Sequence, residues 1–167
     1  MPRGACSRLT DRSAAALIFV VSAMVLAVVN IMQHGFDIEP CKLCLLQRYP
    51  YWFAVVVSAA VILQPGKLSS AGFMVMSIAF AAGAIVGGYH VGIEQHWWDG
   101  GGYCTSVDMG EMSEEDLYAL IMATPPPSCD VIAWSLLGIS LAGYNVISAV
   151  AMALFCGFKG FTSAARG

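Results

Sequence analysis

Four stretches of this chain run long and almost free of charge, separated by short polar segments. Ala14–Met32 carries no charged residue, Leu43–Leu63 only Arg48, next to Gln47 near its start, Leu68–Ile93 only His90 near its end, and Val131–Phe158 none. About 20 apolar residues cross a bilayer, so each stretch is long enough to span, the longer two with tilt. The pattern predicts an all-α membrane protein: a four-transmembrane-helix bundle over 14–32, 43–63, 68–93 and 131–158. One short outward loop, about 34–41, and one long one, about 94–130, connect the spans. The first apolar run is longer than the roughly 7–15 residues of a signal-peptide core and no clear A-x-A site follows it, so it is expected to be a retained span.

Composition strengthens this reading. The 167 residues are 58% hydrophobic and 11% charged, against about 25% charged in soluble domains, which leaves a single membrane domain over 1–167 and no nucleic-acid-binding surface. Charge then sets orientation. Arg3, Arg8, Arg12, Lys67, Lys159 and Arg166 fall on one side of a four-span layout, and only Lys42 and Arg48 on the other. The positive-inside rule places both termini in the cytoplasm. Every acidic residue except Asp11 lies in the outward segments.

The long outward segment holds Gly100-Gly101-Gly102 and Pro125-Pro126-Pro127, a flexible and a stiff stretch. Ser113-Glu114-Glu115-Asp116 is a variant capping box, and Leu117, Leu120 and Ile121 follow at helical spacing, predicting a short amphipathic helix over Ser113–Ala123. Within the spans, Gly83-x-x-x-Gly87 and Gly88-x-x-x-Gly92, with Gly138 and Ala142, permit close helix approach. Trp97 and Trp98 read as interfacial anchors, and Asn145 as a buried polar group bonding between helices.

In this topology Cys41, Cys44, Cys104 and Cys129 face outward, whereas Cys6 and Cys156 face the cytoplasm, where thiols stay reduced. Cys41-x-x-Cys44 has the spacing of a redox couple. If the pair opens span two, both thiols share a helix face and the helix N-terminus favours a thiolate. Arg48, four residues after Cys44, adds positive charge on that face and favours an ionised Cys44. An arginine at membrane depth costs roughly 2.5–3.5 kcal/mol on insertion scales, which asks for a function; the bland alternative is a snorkelling anchor. Thiolate oxidation at a bilayer needs a lipid-soluble acceptor. A quinone fits, with Arg48 or Gln47 donating to its oxygens.

A Cys104–Cys129 bridge is open to two readings. Closing the second outward loop would by itself stabilise the fold by about 3.5 kcal/mol, so a purely structural disulfide stands beside a redox-active one. His90, Glu94 and His96 do not form a strong metal-ligand pattern, and a four-cysteine zinc site is disfavoured where thiols are oxidised. No metal site is expected.

The chain resembles the DsbB family of disulfide bond formation proteins. The resemblance rests on Glu39-Pro40-Cys41-Lys42-Leu43-Cys44-Leu45-Leu46-Gln47-Arg48 and on Gly88-Tyr89-His90-Val91-Gly92-Ile93-Glu94 leading to Cys104. It extends to Cys129-Asp130 followed by Trp134, Leu137-Gly138 and Ala142-Gly143-Tyr144-Asn145. It covers roughly residues 30–150, with 105–128 matching only loosely.

The resemblance implies a bacterial inner-membrane enzyme of periplasmic protein folding, a protein-dithiol:quinone oxidoreductase that reoxidises a DsbA-like periplasmic thiol oxidase. Cys104 would take the mixed disulfide, Cys104–Cys129 would exchange with Cys41–Cys44, and Cys44 would pass electrons to ubiquinone (or menaquinone), held non-covalently or in a transient adduct at Cys44. Arg48, Gln47 and, more weakly, His90 would line the quinone site. Two rivals remain at this stage: a non-enzymatic four-span protein stapled by structural disulfides, and a quinone-linked thiol enzyme of the vitamin K epoxide reductase type. In the latter the membrane Cys-x-x-Cys is expected late in the chain rather than before span two.

Overall fold

The computed structural model describes residues 10–66, 68–101, 104, 113, 115, 118 and 127–166. Its helices are α1 (Asp11–Gly35), α2 (Lys42–Leu46), α3 (Tyr49–Leu63), α4 (Ser69–Glu94) and α5 (Leu141–Ala164), with a two-stranded hairpin, β1 (Ser135–Leu136) and β2 (Ile139–Ser140), before α5. Four helical segments are long and apolar enough to cross a membrane: Asp11–Gly35, Lys42–Leu63, Ser69–Glu94 and Leu141–Ala164. The four-helix membrane bundle is the fold. Of the amphipathic helix read over Ser113–Ala123 only residues 113, 115 and 118 are described, and Lys67, the arginines at 3 and 8, and Cys6 lie outside the described residues.

The broadest helix interface joins α4 to α5, and α1 packs on α3. Phe73, Met76, Phe80, Tyr51, Ile18 and Cys156 are buried in the shared core, with Tyr51 edge-on to Phe80 at 5.3 Å. Small residues allow the close approach. A Cβ on Gly83 would come within 2.8 Å of the Pro50 ring, and one on Gly87 within 2.8 Å of Val146. Gly88, by contrast, faces open space, so only part of the glycine spacing serves helix packing.

At the end of the bundle remote from Cys41, the first and last spans are clasped by charge. Lys159 is fully buried, 3.4 Å from Asp11, which also meets Arg166 at 3.2 Å and accepts from Ser163 Oγ at 2.8 Å. Lys159 is thus an internal residue of α5, not a residue beyond the span.

Two further boundaries differ from the sequence reading. The second span is interrupted at Gln47-Arg48. Pro50, at the second position of α3, has no N–H to continue the ladder and its ring excludes the carbonyl of residue 46. The chain tightens there: Arg48 N–H bonds to the Leu45 carbonyl and Trp52 N–H restarts the helix on Arg48. The fourth span begins ten residues later than Val131. Leu137 and Gly138 both have positive φ, 53° and 78°, and form the two-residue turn of the hairpin. Gly138 is therefore a turn residue with nothing within 4 Å of its missing side chain, rather than a helix-packing one. Ser140 then caps α5, its Oγ accepting from Gly143 N–H at 3.1 Å.

Candidate functional site

Cys41 is the N-cap of α2. Its sulfur accepts from the Cys44 backbone N–H at 3.3 Å, replacing a side-chain oxygen in the usual capping role. Cys44 Sγ lies 3.1 Å from the same sulfur, and both thiols are free. A further contact comes from α4: His90 Nε2 is 3.5 Å from Cys41 Sγ. Donors converging on one sulfur favour its ionised form. Cys41 is held below the ordinary thiol range, first by the Cys44 thiol, then by His90 and the Cys44 backbone N–H, against the opposing effect of burial. The ionised sulfur was expected at Cys44, next to Arg48; in the structure the sulfur that collects the donors is Cys41.

His90 belongs to a polar chain that crosses the bundle. Asn145 Nδ2 on α5 donates to Gln47 Oε1 at 2.6 Å, and Gln47 Nε2 lies 2.8 Å from His90 Nδ1. On the other side of the ring, Nε2 is 3.9 Å from Glu94 Oε1, and Glu94 Oε2 accepts from Ser140 Oγ at 2.5 Å. His90, Gln47, Glu94 and Ser140 are all buried. His90 and Glu94, one turn apart on α4, come together, but His96 does not join them: it follows the helix at φ 56° and lines a small separate hollow with Asp99, Gly100 and Cys104.

The sulfurs of Cys41 and Cys44 and a His90 ring nitrogen do lie within 4.8 Å of one another, a grouping invisible in sequence because the histidine is remote from the thiols. Gln47 Nε2 lies against His90 Nδ1, and His90 Nε2 is the ring nitrogen turned toward the Cys41 sulfur.

Arg48 caps the break before α3. Its Nη1 donates to Gln33 Oε1 on α1 at 2.7 Å. Gln33 was not singled out from the sequence, and no local motif marks it; it lies in the last turn of a long apolar helix. Arg48, Cys44, Gln47, Tyr51, His90 and Asn145 line a cavity of about 370 Å³ whose wall also includes Val25, Leu26, Val29 and Met32. A space of this size with an apolar wall and a few polar groups suits a small lipid-soluble ring compound. The donor set fits a quinone: a guanidinium and amide N–H groups for its oxygens and an adjacent thiol pair.

Cys104 and Cys129 form a disulfide, with Cα atoms 4.9 Å apart. Both are buried and pack in one cluster with Cys41 and Ile93, against which Leu43 and Cys44 also lie. Gly100 is needed there, since a Cβ would come within 2.5 Å of Cys104 Cβ. The Cys129 N–H and Ser128 Oγ both bond to the Cys104 carbonyl, tying the two ends of the long loop together. Trp97 and Trp98 are exposed beside this site, with Trp98 stacked on Tyr89 at 5.9 Å and bonded to its carbonyl, as interfacial aromatics would be.

Comparison with known proteins agrees with this arrangement. A family model described as disulfide bond formation protein DsbB matches residues 11–158. A disulfide bond formation protein B of Marinobacter nauticus is 31% identical over 145 residues, covering 83% of this chain and 85% of the relative. That of Azoarcus is 30% identical over 145 residues, covering 82% and 84%. That of Stutzerimonas stutzeri is 26% identical over 159 residues, covering 88% and 93%. No solved structure matches.

Proposed function

The chain belongs to the DsbB family of disulfide bond formation proteins, and from that membership we propose that it is a protein-dithiol:quinone oxidoreductase of the bacterial inner membrane. Both termini are cytoplasmic and the four active cysteines lie on the periplasmic side, as the distribution of Lys and Arg implies. The partner is a periplasmic dithiol protein of the DsbA type, which the Cys104–Cys129 disulfide oxidises.

The observation that carries the reading is the shared buried cluster of Cys41, Cys104, Cys129 and Ile93, in which Cys41 also lines the apolar cavity. A partner thiolate attacks Cys104, the mixed disulfide resolves to oxidised partner, and the loop pair holds two electrons as thiols. A loop thiolate then attacks the Cys41–Cys44 disulfide, regenerating Cys104–Cys129 and leaving Cys41 and Cys44 reduced. Reforming Cys41–Cys44 releases two electrons and two protons. A quinone, ubiquinone or menaquinone, supplies the acceptor for both and leaves as quinol. Arg48, held by Gln33, directs N–H groups to the end of the cavity where negative charge builds on an oxygen. Gln47 and His90 line the cavity with both Cys41 and Cys44, and Cys44 is the thiol that passes the electrons. Burial of both loop cysteines means that the partner must displace part of the loop to reach Cys104.

The experiment is catalytic: purified protein, a reduced DsbA-type protein and ubiquinone, with quinone loss and partner thiol loss followed together. One partner disulfide should form per quinol. Cys104→Ser should stop partner oxidation and leave Cys41–Cys44 able to reduce quinone, whereas Cys44→Ser should stop quinone reduction and leave the Cys104–Cys129 bridge in place. Full turnover by Cys104→Ser would make the loop disulfide structural and sink the relay.

A further inference from the structure

The chain Asn145–Gln47–His90 has a direction. Asn145 Nδ2 donates to Gln47 Oε1, which leaves only Gln47 Nε2 to face His90 Nδ1. The ring proton is then on Nε2, the nitrogen that points toward Cys41 Sγ and Glu94 Oε1. Reversing both amides would put a lone pair on Nε2 against a sulfur that becomes anionic and against a carboxylate oxygen, an arrangement without a donor between two acceptors. Room for the amide contact is made by Gly87: a Cβ there would lie 3.2 Å from Asn145 Nδ2 and 3.5 Å from Gln47 Oε1.

We propose that Asn145 and Gln47 are positioning residues that hold neutral His90 with its proton on Nε2, so that a donor already faces Cys41 when its disulfide opens. The inference rests on the redox role assigned to Cys41–Cys44 and specifies how that site is prepared. A free neutral imidazole divides its proton between two nitrogens. The amide chain removes the choice, so the donor need not reorganise at the moment charge reaches the sulfur. The titratable groups around the ring, among the described residues, are Cys41 and Cys44 at α2, Glu39 in the segment before it, Arg48 and Tyr51 at α3, and Glu94 on α4. The described cavity-lining residues of α1 and α5 add none. Glu94 is partly committed to Ser140, and Arg48 to Gln33.

Two readouts test this. The first is the ¹⁵N spectrum of histidine-labelled, oxidised full-length protein at pH 8, with the His90 signal identified by its loss in His90→Gln. The wild type should show a protonated Nε2 and an unprotonated, hydrogen-bonded Nδ1, and Asn145→Leu should show a mixture of the two tautomers. A wild-type ring protonated at Nδ1, or an Asn145→Leu spectrum like the wild type, overturns the inference whether or not the protein turns over quinone.

The second readout is the ratio of variant to wild-type kcat for quinone-dependent partner oxidation between pH 8 and pH 6. A donor lost to an ionised acceptor corresponds to about a tenfold fall. For Asn145→Leu and Gln47→Leu that fall should appear at pH 8 and shrink to about twofold at pH 6, because an imidazolium carries protons on both nitrogens and donates whichever way it is held. Gln47→Glu should show no such pH-dependent loss, since a carboxylate beside Nδ1 favours the doubly protonated ring. If Asn145→Leu does not fold, the two Gln47 variants decide. A deficit of equal size at both pH values would make the amides packing residues only. Absence of wild-type turnover would count against the proposed function, leaving the spectra to judge the tautomer.

Discussion

Cys41 Sγ accepts from the Cys44 backbone N–H at 3.3 Å and lies 3.1 Å from the Cys44 sulfur. The Cys-x-x-Cys pair is therefore asymmetric before any partner arrives. One sulfur caps the helix and meets His90, while the other lies against it without a capping role. Because the Cys44 thiol is the largest cause of the lowered Cys41 value, removing it should raise that value. In reduced protein with Cys104→Ser and Cys129→Ser, the thiolate absorbance near 240 nm should persist as pH falls below the ordinary thiol range of about 8.5. It should vanish in Cys41→Ser and move to higher pH in Cys44→Ala. A thiolate signal that survives Cys41→Ser and disappears with Cys44→Ala would reverse the assignment.

Arg48 should act on quinone use through a position set by Gln33. A hydrogen bond to a charged group contributes roughly 1.5–3 kcal/mol, or one to two decades. Arg48→Ala should weaken quinone-dependent turnover by about that factor with both disulfides still able to form. Arg48→Lys should recover only part, because an ammonium keeps the charge and loses the planar fork. Gln33→Leu should raise the KM for quinone by less than Arg48→Ala does, since it frees the guanidinium without removing it. Kinetics at varied quinone concentration would show this order; wild-type behaviour of Arg48→Ala would reduce the residue to an interfacial anchor.

What the sequence revealed and what it hid follow from the range of the interactions. Uninterrupted apolar runs mark spans because bilayer thickness fixes their length, and the four described helices answer to them. Both fold differences arose from local signals overruled by hydrophobicity. Pro50 follows Arg48 by two residues, and a proline inside a helical pattern breaks or kinks it. Ser140, before Leu141, is a helix-cap residue that marks the true start of the last helix, and Leu137-Gly138 marks the turn before it. The polar chain was beyond such reading. Gln47 is separated from His90 by 43 residues and from Asn145 by 98, so only the packing of α4 on α5 and on the α2–α3 break brings them together. Asn145 was legible as a buried polar group but not by its partner, and Gln33 not at all.

The contact between Gly83 and Pro50 gives a test of how the helix break is held. A Cβ on Gly83 would meet the Pro50 ring at 2.8 Å, and a proline ring cannot swing aside as a flexible side chain would. Gly83→Ala should therefore destabilise the protein by about 1–3 kcal/mol, the usual cost of overpacking. It should also lower turnover by shifting Gln47 and Arg48. Gly88→Ala, on the same helix but facing open space, should be neutral or stabilise by up to about 1 kcal/mol through helix propensity. Thermal unfolding in detergent compares the two; equal effects would remove Pro50 as the cause.

At the opposite end of the bundle, Lys159 and Asp11 hold the last span to the first, and the prediction there concerns stability alone. Lys159 is fully buried, and its ammonium lies 3.4 Å from a carboxylate that is about a fifth exposed. Removing one partner of a fully buried pair costs about 3–5 kcal/mol because the other charge is left without compensation. Here Asp11 keeps Ser163 and Arg166, so Lys159→Met should cost less, about 1–3 kcal/mol. Asp11→Asn alone should cost more, since it removes the carboxylate 3.4 Å from a fully buried ammonium. The double variant Lys159→Met with Asp11→Asn should recover most of the loss, because a methionine of similar length fills the space without a charge to satisfy. Unfolding midpoints of the four proteins close this cycle. Losses that simply add would mean that the two residues contribute independently and that the ion pair does not clasp the spans.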